Sequence, residues 1–395
     1  MSSKLRIIVS GLLAQYPLGG VTWDYLQYVL GLVRLGHDVY YIEDSEQWPY
    51  DARAGGLGRS GDTNAAYLAE VMRHFGIGDR WAYRFPGGSL QSGEVFPERW
   101  FGLSDAQRRD VLDSADLIIN VSSGIGEPSR YRGISRLVYV DTDPVFTQIR
   151  AVQDRKFRQH LDEHDLHFSY GQCPSPDVPE TGHRWLPMRK PVALEEWHPD
   201  AARRDVFTTV LNWTSYGNVV WCGRCYGQKD DEFPAYLGLP ERVAPTRLEL
   251  AIGAGKTRRT PRRQLEDGGW YLVDPMDVCP DLWSYRNYIE SSAGEWTVAK
   301  GGYVLGRSGW FSGRTACYLA AGRPVVVQDT GFGAVLPVGR GLLAFRTLDE
   351  AAAGIREVSA DWERHAKAAR AIAEAYFDAA ALVQRIIDLA SGKLS

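Results

Sequence analysis

No stretch of this 395-residue chain approaches the roughly 20 consecutive apolar residues of a membrane span. Met1–Arg6 leads straight into the short apolar piece beginning at Ile7, too short for the apolar region of a secretory signal. A cytoplasmic protein without a membrane span is the expectation. An excess of charge of one sign is also missing. Lys and Arg total 45 against 49 Asp and Glu, a net charge of -4, and no long basic run occurs. A nucleic-acid partner is therefore not expected, because neutralising phosphates takes clustered cations. Cysteine is scarce, and its count of 5 is odd, which excludes a disulfide framework. Cys222-x-x-Cys225 is half of a zinc or redox motif without a second pair, so no metal site is expected there. Internal repeats and low-complexity segments are lacking too.

What is present is ordinary globular composition, 44% hydrophobic and 24% charged, in a chain long enough for two cores. The amino-terminal part opens as a βαβ unit. A strand over Arg6–Ser10 is followed by a loop from Gly11 to Gly20. Thr22 then caps a helix running to Leu35, and after Gly36-His37-Asp38 comes the strand Val39–Ile42. Further strands are expected at Leu117–Val121, Leu137–Val140 and Leu166–Tyr170. The Gly-, Pro- and aromatic-rich stretch 47–110 reads as helices with long loops. Proline-bearing, aperiodic sequence marks 186–204 as a linker between a first domain, 1–185, and a second, 205–365. Strands in the second are expected at Val206–Leu211, Leu248–Ile252, Trp270–Val273, Tyr303–Gly306 and Val325–Val327. Asp361–Leu394 is a long Ala-rich amphipathic stretch. The fold class that follows is α/β with two Rossmann-like domains and a cleft between them.

The densest signal runs from Gly309 to Phe332. A small-residue helix, Arg314–Ala321, ends at Gly322-Arg-Pro324; a buried strand follows, then Asp329-Thr330-Gly331. Polar groups with a permissive backbone at the carboxyl edge of a parallel sheet mark a nucleotide-binding position. Together with Gly341-Leu-Leu-Ala-Phe345, the pattern resembles the donor-binding half of GT-B glycosyltransferases, nearest to the group-1-like and spore-maturation-like members. The chain departs from that pattern at two acidic positions, which here are Cys317 and Gly309.

The resemblance implies a nucleotide-sugar donor held mainly by the second domain. Residues 366–395 then form a terminal helix that crosses back to the first. Three groups are candidates for the diphosphate and sugar. Gly19-Gly20 precede the Thr22 helix and Gly36-His37-Asp38-Val39; the alternative is a tight turn that merely needs glycine. Arg224 and Lys229 match the family's diphosphate-contacting pair, although Asn212–Ser215 competes for that structural place. Arg314 with Asp329, Thr330 and Gly331 would face phosphate and sugar. Gly253-Ala-Gly-Lys256-Thr257 looks like an ATPase phosphate loop, but Leu250 stands where its first glycine is required. In the family that loop borders the base pocket, which makes Lys256 a donor-side candidate. The basic run Lys256–Arg263 is either a solvated helix start or a phosphate-facing loop.

For proton abstraction from an acceptor the candidates are Asp24, in the first turn after the Gly-Gly loop, and Asp143, held by Asp143-Pro144 at a strand's carboxyl edge. Helix-dipole stabilisation is the alternative reading for Asp24. Asp141, at the same strand end, is a third candidate with a turn cap as its alternative, and His37, His167 and His183 are weaker candidates. Asp141-Thr-Asp143 lies in the first domain, away from the donor half, so neither a metal nor any cofactor beyond the nucleotide-sugar co-substrate is expected. The reading is a metal-independent hexosyltransferase-type enzyme acting on a small or modest-sized acceptor. A nucleotide-sugar epimerase of the same fold and a non-catalytic sugar-nucleotide binder are the alternatives. The acceptor, the nucleotide and the oligomeric state, a homodimer included, stay open.

Overall fold

The computed structural model describes residues 4–52, 54–89, 93–133, 135–256 and 258–393. Thr257, Leu394 and the Met1-Ser-Ser start lie outside the described residues.

Two parallel sheets organise the chain. The first contains β1 (Arg6–Ser10), β2 (Asp38–Glu43), β3 (Trp81–Phe85), β4 (Arg99–Gly102), β5 (Leu117–Val121), β6 (Arg136–Asp141), β7 (Leu166–Ser169) and β8 (Trp185–Pro187). Their spatial order is β8-β7-β6-β5-β1-β2-β3-β4, parallel except for the β3–β4 pair. β5 and β6 are buried on both faces over nearly their whole length, as strands covered by helices on both sides must be. The covering helices include α1 (Gly19–Arg34), α2 (Asp62–His74), α3 (Asp105–Asp113), α4 (Phe146–Gln153) and α5 (Arg155–Asp162).

The stretch 47–110 is thus not only helices and loops, since it contributes β3 and β4. Arg84, the fourth of the five residues of β3, disguises the strand in the sequence. Its guanidinium is buried because Asp44 takes it at 2.5 Å and Glu98 at 3.1 Å.

The second sheet is wholly parallel: β9 (Val206–Leu211), β10 (Arg247–Ile252), β11 (Tyr271–Val273), β12 (Gly294–Thr297), β13 (Val325–Gln328) and β14 (Leu342–Phe345), in the order β11-β10-β9-β12-β13-β14. Around it lie α6 (Leu282–Glu290), α7 (Gly301–Gly306), α8 (Gly313–Ala320) and α9 (Leu348–Ala360). The expectation of a strand over Tyr303–Gly306 is corrected to a helix, α7. A Cβ on Gly302 would lie 2.4 Å from the Phe146 ring, and one on Gly306 2.5 Å from Val145. The glycines therefore let α7 press against the first lobe. The strand beside β9 is β12, whose Glu295 is wholly buried.

The chain passes between the lobes twice. Between β8 and β9 it carries the buried side chains of Met188, Lys190, Val192 and Trp197. It returns through the Ala-rich segment, which is two helices, α10 (Trp362–Tyr376) and α11 (Ala379–Ala390), broken where Asp378 caps the second. α11 lies along α1, so close that a Cβ on Gly31 would be 2.9 Å from the Ala379 backbone. The two passes are bonded to each other, Val192 N–H donating to Phe377 C=O at 2.7 Å and Ala379 N–H to Val192 C=O at 2.9 Å.

Candidate functional site

Strand order reverses in the first sheet between β1 and β5, and in the second between β9 and β12. Loops leaving the carboxyl ends at such a switch point diverge and leave a crevice. Here the two crevices face each other. One chamber, of about 370 Å³, is lined by the start of α1, by Asn212 and Ser215 after β9, and by Lys229, Lys300 and Arg314. A second, of about 820 Å³, spreads over the ends of β5 and β6 and over α4. They join at Tyr25, Ser122, Thr142, Ser215, Lys300 and Tyr303, which line both.

Gly19 and Gly20 are not in a loop. They are the first residues of α1, which starts three residues before Thr22, and the Thr22 hydroxyl instead donates to Leu18 C=O at 3.0 Å inside the helix. A Cβ on Gly19 would lie 2.2 Å from Asp281 C=O, so the glycine admits α6 of the second lobe against α1. The same first turn lines the smaller chamber and directs the positive end of a 16-residue helix at it.

Lys229 and Arg224 part company. Arg224 lies exposed on the hairpin Val219–Tyr226, paired with Asp177 and lining neither chamber. The hairpin comes just before Lys229 and carries Arg224 away from it, so the two cations do not act as a pair. Lys229 lines the smaller chamber and, among the described residues, has no hydrogen-bond or ion-pair partner. Desolvation, then the neighbouring Arg314 and Lys300, push its ammonium well below the usual lysine range, with Glu295 opposing them. Arg314 also lines this chamber, but is tied down: Nε donates to Glu295 Oε1 at 2.5 Å, Nη1 to Val210 C=O at 2.6 Å and Nη2 to Thr297 at 3.0 Å.

Asp329 and Gly331 line neither chamber. Burial would raise the Asp329 carboxyl, but the Gly331 amide, Arg346 and Arg307 together hold it below the usual range. Thr330 donates to Trp310 C=O and faces a small enclosed space behind Lys229. Lys256 is exposed on a loop whose amide is held by Thr214 Oγ1 at 2.9 Å, outside both chambers. In the same basic run Arg258 pairs with Asp230 and Asp231 at 2.9 and 2.8 Å. Cys317 and Gly309 line neither chamber either. Cys317 is buried with Sγ 3.7 Å from Gln27 of α1.

The two carboxylates separate. Asp24 lines the smaller chamber, 53% exposed, with Oδ1 2.6 Å from the ammonium of Lys190, itself 2% exposed. Asp143 lines the larger chamber and spans the lobes, accepting from Lys300 at 3.0 Å, from Tyr216 at 2.6 Å and from Tyr303. Lys190, Lys300, Tyr216 and Tyr303 escape a sequence reading because each stands alone. For Lys300 the signal is a cation before Gly301-Gly302 at a strand's end. Asp141 accepts from Thr147, Gln148, Ser169 and the Asp143 amide, a structural role. His37 accepts the Leu5 amide, and His183 lies 2.8 Å from Asp162. His167 belongs to a row with His160 and His164 behind β6, and His160 reaches Ser123 at 3.1 Å. Among the described residues no group of three or more His, Cys, Asp or Glu is placed to hold a metal.

Comparison of the sequence with family profiles and with curated proteins finds no match. Comparison of the structure does. An α-glucosyltransferase in complex with UDP-glucose and DNA containing an abasic site superposes with a TM-score of 0.58 at 11% identity, over 98% of this chain and 99% of that one. Anabaena HepE in complex with UDP and glucose gives 0.58 at 13%, over 98% and 99%. Sucrose-phosphate synthase from Thermosynechococcus elongatus gives 0.53 at 13%, over 98% of each. The chain has the GT-B fold. The smaller chamber is lined from both lobes, and the larger one lies mainly over the first. No helix among the described residues is long and apolar enough to cross a membrane.

Proposed function

We propose that this GT-B chain is a glycosyltransferase: it binds a nucleotide sugar in the smaller chamber and passes the sugar to an acceptor hydroxyl presented from the larger one. The observation that carries the proposal is Lys229, a cation without a partner beside Arg314 and Lys300, opposite the first turn of α1. Like charges gathered around an open space call for an anion. Backbone N–H groups at a helix start and a lysine are the groups that stabilise a departing diphosphate. UDP-glucose in one of the similar structures and UDP in another make UDP the first nucleotide to test.

In the proposed reaction the bond from the anomeric carbon to phosphate breaks and the acceptor oxygen takes its place. Nucleoside diphosphate leaves into the field of Lys229 and the α1 terminus, and Asp143, on the acceptor side, takes the acceptor's proton. Asp24, fixed by Lys190 on the donor side, orients sugar hydroxyls. With the usual acidic positions turned away, the ribose is held by other groups in this chamber. The cations of the chain supply the neutralising charge, and the nucleotide sugar is the co-substrate. The setting is a soluble one.

A thermal-shift panel of UDP, GDP, ADP and TDP on the wild type and on Lys229→Ala tests this. At 100 times its Kd a selective ligand stabilises the fold by about 2.7 kcal/mol. One nucleotide is expected to do so, and to bind at least about tenfold more weakly to Lys229→Ala. No response to any of them sinks the proposal.

A further inference from the structure

Resting on the transferase reading, we propose that the larger chamber takes a flat, mostly apolar acceptor carrying a phenolic hydroxyl, and not a carbohydrate chain or a nucleic acid. Its volume of about 820 Å³ falls within the 300–1,000 Å³ or so of sites for drug-sized ligands. Phe146, Phe157, Tyr139 and Tyr216 line it, with Val21 and Val219. Aromatic walls of this kind suit the faces of a fused-ring ligand.

Several of the polar groups on these walls are already engaged with one another. Asp141 accepts four hydrogen bonds, Ser122 is 2.6 Å from the Thr142 hydroxyl, and Ser123 is 3.1 Å from His160. An oligosaccharide, whose hydroxyls need many free partners, finds few here. A nucleic acid needs cations along its backbone. Among the described residues the lining cations are Arg150 and Lys300. Arg150 lies 3.5 Å from Asp154 and stacks over Phe157, and Lys300 is held by Asp143.

Asp143 points to the same class. Its lone pairs already receive Lys300, Tyr216 and Tyr303. A carboxylate so engaged suits a hydroxyl that releases its proton readily, as a phenol does at a pKa of about 10. The phenol's O–H bond breaks as its oxygen bonds the anomeric carbon. Nucleoside diphosphate is the leaving group and Asp143 the proton's destination.

Direct binding separates this inference from the transferase reading. The probes are 7-hydroxy-4-methylcoumarin, maltotetraose and a short DNA duplex, each titrated with and without UDP. Wild type is compared with Val219→Trp, which fills the chamber, and with Gln153→Trp, at an exposed rim position whose side chain donates to Val220 C=O at 2.8 Å. The coumarin is expected to bind, and to bind at least about tenfold more weakly to both variants at unchanged UDP affinity and melting temperature. Coumarin binding indifferent to both variants overturns the inference. So does maltotetraose or DNA binding that either variant abolishes, or no coumarin binding by a protein that binds UDP. Coumarin bound in this chamber by a protein that ignores UDP upholds the acceptor class and removes the transferase.

Discussion

At the scale of single residues, the cations of the smaller chamber differ in what their removal does. Arg314 carries three hydrogen bonds and neutralises Glu295, which is 0% exposed. Arg314→Ala leaves that carboxylate buried and unpaired, and is expected to cost about 3–5 kcal/mol of stability, read from the urea midpoint. A variant that unfolds at the wild-type midpoint would show that Glu295 finds another partner. Lys229 has no such duty, so Lys229→Ala reports on ligand and not on fold. The sequence made both residues visible, through a helix start and a Lys spacing. It could not reveal which of them is already spent, because Glu295 is distant in sequence and its strand does not announce itself. Arg224 shows the reverse case. Its spacing to Lys229 is right, but a hairpin turns it toward Asp177.

At the scale of elements, the contact of α1 with α6 depends on one missing side chain. A Cβ on Gly19 would meet Asp281 C=O at 2.2 Å and Tyr285 Cβ at 2.5 Å. Gly19→Ala is expected to destabilise the protein by about 1–3 kcal/mol, although alanine favours helix, because neither neighbour is free to retreat. An increase in the melting temperature would mean the helices move apart at no cost. The histidine row behind β6 is a second case. Burial lowers the His160 ring to about 4 and drives His164 well below its ordinary value. A base whose folded pKa is depressed keeps its full stability above its unfolded pKa of about 6.5, and loses it as pH falls toward 4. For His160 the loss amounts to about 3 kcal/mol. His160→Gln should therefore flatten the fall in unfolding free energy between those pH values by about one proton. An unchanged slope would place the titration elsewhere. Most apolar strands were legible from composition alone, Leu117–Val121 to the residue. The ones missed, β3, β4, β8, β12 and β14, include two that carry a buried charge whose partner lies on another element. Gly301–Gly306 is short and apolar, a pattern in which strand and helix read alike.

At the scale of the molecule, Asp143 ties the lobes together from the larger chamber. Asp143→Asn removes the charge that holds Lys300, which at this partly buried position is worth about 2 kcal/mol. The ligand-free variant should have a larger radius of gyration in small-angle scattering, with UDP affinity within about threefold of wild type. Identical scattering curves would show that the tie does not set the spacing. Two lobes with a crevice between them could be read from the sequence, because each sheet has its own apolar strands. The larger chamber could not, since its walls come from segments far apart in the chain.

The two passes of backbone between the lobes, bonded to each other at Val192, have a mechanical consequence. A single connecting strand would let the lobes swing and twist about any axis. Two crossings locked side by side, with α11 stapled along α1, define one axle. Relative rotation is then confined to the plane that widens or narrows the mouth opposite it. An opening of the lobes about that axle would return the first turn of α1 and Lys229 to the same register, with α11 as half of the hinge.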